Sequence, residues 1–353
     1  MSLTAAAYRR IKAHLGVGTE DDPAPNTAME VIPHPDVLSR LGVDCISVRM
    51  GEAGQRRGDS QEAVVDAWGV RRALVRQAGG GEYYEAVSHP LARAGRRDLQ
   101  GFPWPSPAPA AKGEALRAHA AGLSRQTDLA LVGRFGGPVL ELAADLLGPE
   151  EWYIRTADDP DFIRQLLDRI SGICTADDLF GVESAGEYLQ IVKVSGEDLG
   201  MQTGPLYSMR TFCEVLLPPL ERRWRAVRKK LEQVNPAAKV MLHSCGSIRS
   251  FIPAMIEAGI DILNPVQPLA AGMGPSALME EHGGRLVFHG GIDIQDLLTR
   301  AAPEVVARET RRCLEAFHAE RGGFIAAPSH TVQSDVPPEN VVAMIDAVKG
   351  WRP

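Results

Sequence analysis

Positive charge is scarce in this 353-residue chain: 38 lysines and arginines face 45 aspartates and glutamates, for a formal net charge of −7. That leaves no broad cationic surface for a phosphate backbone. The arginines that do cluster, Arg222, Arg223, Arg225 and Arg228, alternate with apolar residues at helical spacing, so nucleic acid is not an expected partner. Long apolar runs are missing as well. No stretch reaches the roughly 18 residues a membrane span needs, and MSLTAAAYRR lacks the basic start and apolar core of an export signal. A cytoplasmic location is expected. The five cysteines, Cys45, Cys174, Cys213, Cys245 and Cys313, are odd in number and scattered, which is no disulfide framework and leaves most of them as small core residues. A GxGxxG motif, an internal repeat and a long low-complexity tract are also absent.

What is present is an alternation of strand-length apolar runs with longer stretches of helical periodicity. VDCISVRM, LALVGRF, YLQIVKVS, KVMLHSCG, DILNPVQ, RLVFHGG and GFIAAPSH read as strands. Between them DFIRQLLDRISGI (161–173), RTFCEVLLPPLERRWRAVRKKLEQV (210–234), IRSFIPAMIEAG, PSALMEEHG, PEVVARETRRCLEAFHAE and PENVVAMIDAVKGW read as helices, several opening on proline or just after Ser, Asp or Thr. The pattern predicts an α/β fold, a single (β/α)8 barrel with an N-terminal extension. Residues 1–127 would hold the first barrel strand, a small hairpin (DAWGV, GGGEYYEAVSHPL) and a proline-bound linker (GFPWPSPAPA). Residues 128–353 would supply the rest of the barrel and its mouth.

Polar residues gather at successive strand ends, where a parallel barrel places its chemistry. They are Glu197 and Asp198, His243 and Cys245, Gln267, His289 and Asp293, and His330. His243 and Cys245 stand two apart on a strand and so project to one side. Imidazole and thiolate are ligands zinc prefers, and a catalytic zinc takes three protein ligands with one position open. His330 is the candidate third ligand, with Glu197 or Asp198 a fourth ligand or an orienting group. A His-x-Cys pair on a strand is equally at home as two core residues, Asp198 can cap a turn, and Gln267 can bridge loops. His34, His89, His282 and His318 fall in loops or on helix faces and are expected to be solvated.

In their order, SGEDLGMQTGPLYS (195–208), HSCGSI (243–248), AGIDILNPVQ (258–267), FHGGID (288–293) and APSHTVQSDVPPENVVAM (327–344) resemble the motifs of the uroporphyrinogen decarboxylase superfamily. DAWGV, EYYEAVSHPL and FPWPSP are similar to the amino-terminal part of its methyltransferase-like branch. One branch of that superfamily decarboxylates porphyrinogen acetates without a cofactor; the other binds zinc and moves methyl groups to or from a corrinoid. The decarboxylase pattern implies an Arg-Gln-Ala-Gly-Arg run before the first strand and an aspartate just after it. Here the similar VRQAGGGEYYE (75–85) follows the strand, its second arginine position is Gly80, and CISVRMGEA carries no aspartate.

The resemblance therefore implies a zinc-dependent methyltransferase, with decarboxylation as the alternative. His243, Cys245 and His330 would hold Zn2+, although thiol-methylating members place a cysteine where His330 stands, which leaves the third ligand open. Glu197, Asp198, Gln267 and Asp293 would be catalytic or substrate-positioning, and a small methyl ether, amine or thiol would be donor or acceptor. No corrinoid-binding histidine loop occurs in these residues, so the corrinoid (cobalamin) is expected on a partner protein. A homodimer is implied by resemblance alone.

Overall fold

The computed structural model describes residues 2–18, 30–50, 57–60, 62–76 and 81–352. Seven parallel strands form one sheet in chain order. They are β1 (Cys45–Arg49), β2 (Ala130–Arg134), β3 (Ile191–Gly196), β4 (Lys239–His243), β5 (Ile262–Val266), β6 (Val287–Ile292) and β7 (Phe324–Pro328). Parallel neighbours need long crossovers, and helices supply them; the result is the (β/α)8 barrel that the alternation predicts. Among the described residues no ladder joins β7 to β1. The short antiparallel pair Leu3–Thr4 and Glu30–Val31 lies on that side. Leu3 bridges Val332 in parallel, Thr331 Oγ1 donates to Glu30 Oε1 at 2.9 Å, and Arg49 Nη2 at the end of β1 donates to Glu30 Oε2 at 3.2 Å. Side chains thus tie the flanking strands together.

Strand alternation sorts the barrel into an apolar outside and a polar inside. Val48, Leu131, Val192, Val194, Val240, Leu242, Leu263 and Phe288 are at most 1% exposed, each burial contributing about 1.5–3 kcal/mol. That outer set fixes which way each strand faces. The alternate positions, among them Ser47, Arg49, Arg134, Lys193, Met241 and His243, line an internal cavity of about 490 Å³.

Proline opens the helices Pro275–His282, Pro303–Ala316 and Pro338–Lys349, as expected, and also Pro149–Asp158, which was not anticipated, and Pro160–Ala185. The helix expected over 161–173 runs on to Ala185. Its buried stripe continues at four-residue steps through Cys174, Asp178 and Val182, and a charge in that stripe disguises it. Asp178 Oδ2 receives Arg223 Nε at 2.8 Å with both side chains fully buried. The helix expected over 210–234 is interrupted by a π turn at Phe212–Leu216 before Leu217–Val234, because Pro218 and Pro219 offer no N–H to carbonyls one turn back.

The expected hairpin is part of a four-stranded antiparallel sheet, Arg57–Ser60, Ala63–Val65, Arg71–Arg76 and Glu82–Ala86. Asp66 Oδ1 forms its central turn by accepting from the N–H groups of Trp68 and Val70, with Gly69 at φ 78°. Arg72 docks the sheet on the barrel by reaching Asp145 Oδ2 at 2.6 Å. The proline-bound linker packs there too, Trp104 lying edge-on to Trp68 and donating to Leu99 O. In the run at 75–85, residues 77–80 lie outside the described residues, and Arg76 is engaged with Glu62 and Glu82. Residues 51–53 of CISVRMGEA lie outside them as well. Among the described residues no helix is long and apolar enough to cross a membrane.

Candidate metal centre

β4 ends on His243, and the chain continues so that Cys245 Sγ sits 3.3 Å from His243 Nε2. His330, just past β7, brings its ring centroid to 6.3 Å from that of His243. The donor atoms of His243, Cys245 and His330 all lie within 4.8 Å of one another. Tetrahedral zinc separates such ligands by about 3.3–3.8 Å, so small side-chain movements close the set around one ion. The donor types and their convergence fit zinc. Gly246 makes the turn possible: its φ is +82°, and a Cβ there would meet Gly200 C at 2.3 Å.

The histidine is aimed by its neighbour on β5. Asn264, in register with His243, accepts the His243 Nδ1 proton at 2.8 Å, and its own Nδ2 donates to His289 Nδ1 at 2.7 Å. The lone pair of His243 Nε2 is thereby left facing Cys245. Burial, followed by the charge of Lys193, holds His243 well below the usual histidine range, and burial brings His289 to about 3. Both rings are neutral, as a ligand and its support must be. Burial and the nearby Asp198 carboxylate push the Cys245 thiol up, a direction that a coordinated cation would reverse.

The adjacent acids Glu197 and Asp198 part company. Asp198 Oδ1 accepts from Cys245 N–H at 3.0 Å and lies 3.6 Å from His243 Nε2, with the side chain 45% exposed. Glu197, expected at the mouth, is fully buried behind the sheet. It accepts from the N–H groups of Val139 and Leu140 at 3.0 and 2.8 Å, where the helix Leu140–Leu147 begins, and lies 3.8 Å from Arg223 Nη1. The register shift between β3 and β4 just before Gly196 turns it away from the mouth, and a helix N-terminus suits a carboxylate. Burial above all raises its pKa to about 7.

Asp293 spends its carboxylate on the N–H groups of Gln295, Asp296 and Leu297. Gln267 Oε1 accepts from Gly246 N–H at 2.6 Å and so fastens the loop after β5 to the loop after β4. Gln267, Asp293 and His330 share the lining of a second cavity, about 290 Å³. Two of the histidines expected to be solvated have other settings: His282 is 6% exposed, and His89 Nδ1 donates to Asp145 O at 2.7 Å.

Several residues at the site were not anticipated. Asn264 is one. Glu141, in the first turn of Leu140–Leu147, accepts from Asp198 N–H at 3.0 Å; burial and then Glu197 push its carboxyl well above the usual range. The third group is ionic and lies inside the barrel. Arg49 Nη2 and Arg134 Nη1 both donate to Glu30 Oε2, at 3.2 and 3.4 Å. Burial pushes Glu30 up, but Arg134 and Arg49 outweigh it and hold the carboxyl at about 2. Lys193 is lowered to about 7 by burial and then by Arg134. The available signal was a charge at an inward position of three apolar strands.

The family model described as Uroporphyrinogen decarboxylase (URO-D) matches residues 104–351, a span that contains the triad, Asn264 and Lys193. A curated uroporphyrinogen decarboxylase of Pelodictyon phaeoclathratiforme is 25% identical over 195 residues, 54% of this chain and 50% of its own length. The chain thus spans about half the length of that relative. Among solved structures, a methyltransferase from Methanosarcina mazei matches with a TM-score of 0.61 at 18% identity, covering 99% of both chains. That likeness bears out the barrel.

Proposed function

The chain belongs to the uroporphyrinogen decarboxylase family, and from that premise we propose that it is a zinc-dependent methyltransferase. It would move a methyl group between a small methyl ether, amine or thiol and a corrinoid (cobalamin) carried by a partner protein. The observation that carries the reading is the convergence of His243, Cys245 and His330. Cofactor-free decarboxylation, the other chemistry of the family, has no use for a thiol and two imidazoles aimed at one point. The methyltransferase name of the Methanosarcina mazei neighbour is in keeping with it.

Zinc bound here supplies a Lewis acid that draws charge from the heteroatom bearing the methyl group. His243, Cys245 and His330 hold the ion, and Asn264 fixes the His243 tautomer. Asp198, half exposed beside the triad, is placed to take or give the proton of that heteroatom. Gln267 keeps the Gly246 turn in place. Glu197 and Asp293 act through the backbone groups they bind and are positioning residues.

Elemental analysis of the full chain, prepared with zinc present, tests the reading alongside His243→Ala, Cys245→Ser and His330→Ala. About one zinc per chain, lost in each folded variant, is expected, together with methyl exchange with free cobalamin that disappears in the same variants. Wild type that retains no metal overturns it.

A further inference from the structure

The cavity inside the barrel is lined unevenly. On one side Arg49, Arg134 and Lys193 form a row: the strand register pairs Arg49 with Arg134 and Arg134 with Lys193. Glu30 accepts from two of these cations, Arg49 and Arg134. Among the described residues Lys193 makes no ion pair or hydrogen bond. His243, Asn264 and His330 line another part of the same cavity. An ammonium that faces an internal cavity with no carboxylate in direct contact is costly, so a row of this kind suits an anion. The two guanidiniums present the planar fork that matches a carboxylate. At about 490 Å³ the cavity is of the size that takes a small ligand.

We infer that Arg49, Arg134 and Lys193 bind a carboxylate of the substrate, so that the methyl compound handled at the metal centre is an acid. Its carboxylate lies on the cationic row and its methylated heteroatom faces His243, Cys245 and His330. The inference rests on the methyl-transfer reading for the second half of that arrangement and on the barrel interior alone for the first.

Calorimetric titration with 4-methoxybenzoate and its neutral counterpart 4-methoxybenzamide tests it, on metal-free protein to exclude direct ligation and on zinc-loaded protein. Wild type should favour the acid by about tenfold or more, the effect of a hydrogen-bonded charge. Lys193→Met should lose most of that preference while binding the amide as before; its side chain nearly matches lysine in length and keeps the fold. Glu30→Gln should bind the acid more tightly, because it removes the competing carboxylate. Equal affinity for acid and amide in wild type, or an unchanged preference in folded Lys193→Met, overturns the inference. Tighter competition by inorganic phosphate or methanesulfonate than by acetate overturns the choice of carboxylate. Acid preference in a protein that holds no zinc would remove the methyl-transfer reading and leave the anion site standing. Zinc without acid preference would do the reverse.

Discussion

The two sides of the barrel interior carry opposite chemistry, although burial opposes charge on both. Toward β4, β5 and β7, burial strips charge from His243 and keeps the Cys245 thiol protonated, and a neutral amide, Asn264, sets their geometry. Toward β1, β2 and β3, burial opposes the charge on Lys193, while Arg49 and Arg134 share Glu30. One side is a set of neutral donors suited to a cation; the other is a row of basic side chains suited to an anion. A substrate reaching both would be oriented by its own charge distribution before any contact with its apolar body mattered.

Substitution at Asn264 should separate the two sides most sharply. Asn264→Leu frees His243 to rotate or change tautomer and should weaken zinc binding by about 10–100-fold. Asn264→Asp keeps an acceptor for the Nδ1 proton and should recover most of that loss. Anion binding on the cationic row should stay within twofold or so in Asn264→Leu, which adds no charge to the cavity. Competition against a zinc chelator measures the first effect. Equal zinc affinity in wild type and Asn264→Leu would show that Asn264 does not aim His243.

The same contrast explains what could be read in the sequence. His243, Cys245 and His330 were legible because their side chains have few roles at apolar strand ends. Asn264 was not, because it precedes Pro265 in a run that reads as ordinary strand. Arg49, Arg134 and Lys193 were passed over for a different reason: long cationic side chains in a sequence look like surface, and their inward direction depends on strand phase. Phase also misplaced Glu197. The β3–β4 register shifts between Met241 and His243, so counting along the strand end does not give the facing of the residues after Gly196. The barrel itself was recoverable because outer positions such as Val192, Val240 and Leu242 are apolar at every second step, a pattern that polar inner residues cannot obscure.

Removing Glu30 sharpens the comparison from the cationic side. Its carboxyl is held at about 2 against an ordinary 4.5, so its contribution to stability is fully present above about 4.5 and is lost as pH falls through about 2. Glu30→Gln should therefore lower stability at neutral pH by about 1–3 kcal/mol, with a flatter decline in acid than wild type. Denaturant titrations at pH 7 and pH 3 measure this. A variant that keeps the full acid dependence would mean that Glu30 is not the group the two arginines rely on.

Lys193→Met should change stability with the opposite sign. The folded chain lowers the Lys193 pKa from 10.5 to about 7, so between those values the unfolded chain binds the extra proton. Stability must then rise with pH across that window, and below it the penalty is constant and complete. Methionine has no proton to bind. The variant should melt a few degrees above wild type near pH 7, and the gap should narrow as pH approaches 10. A gap that stays constant with pH would assign the gain to packing and remove the charge argument at that position. A gap that narrows, and that shrinks at pH 7 when 4-methoxybenzoate is added to wild type, would identify the Lys193 ammonium as the group that the anion relieves.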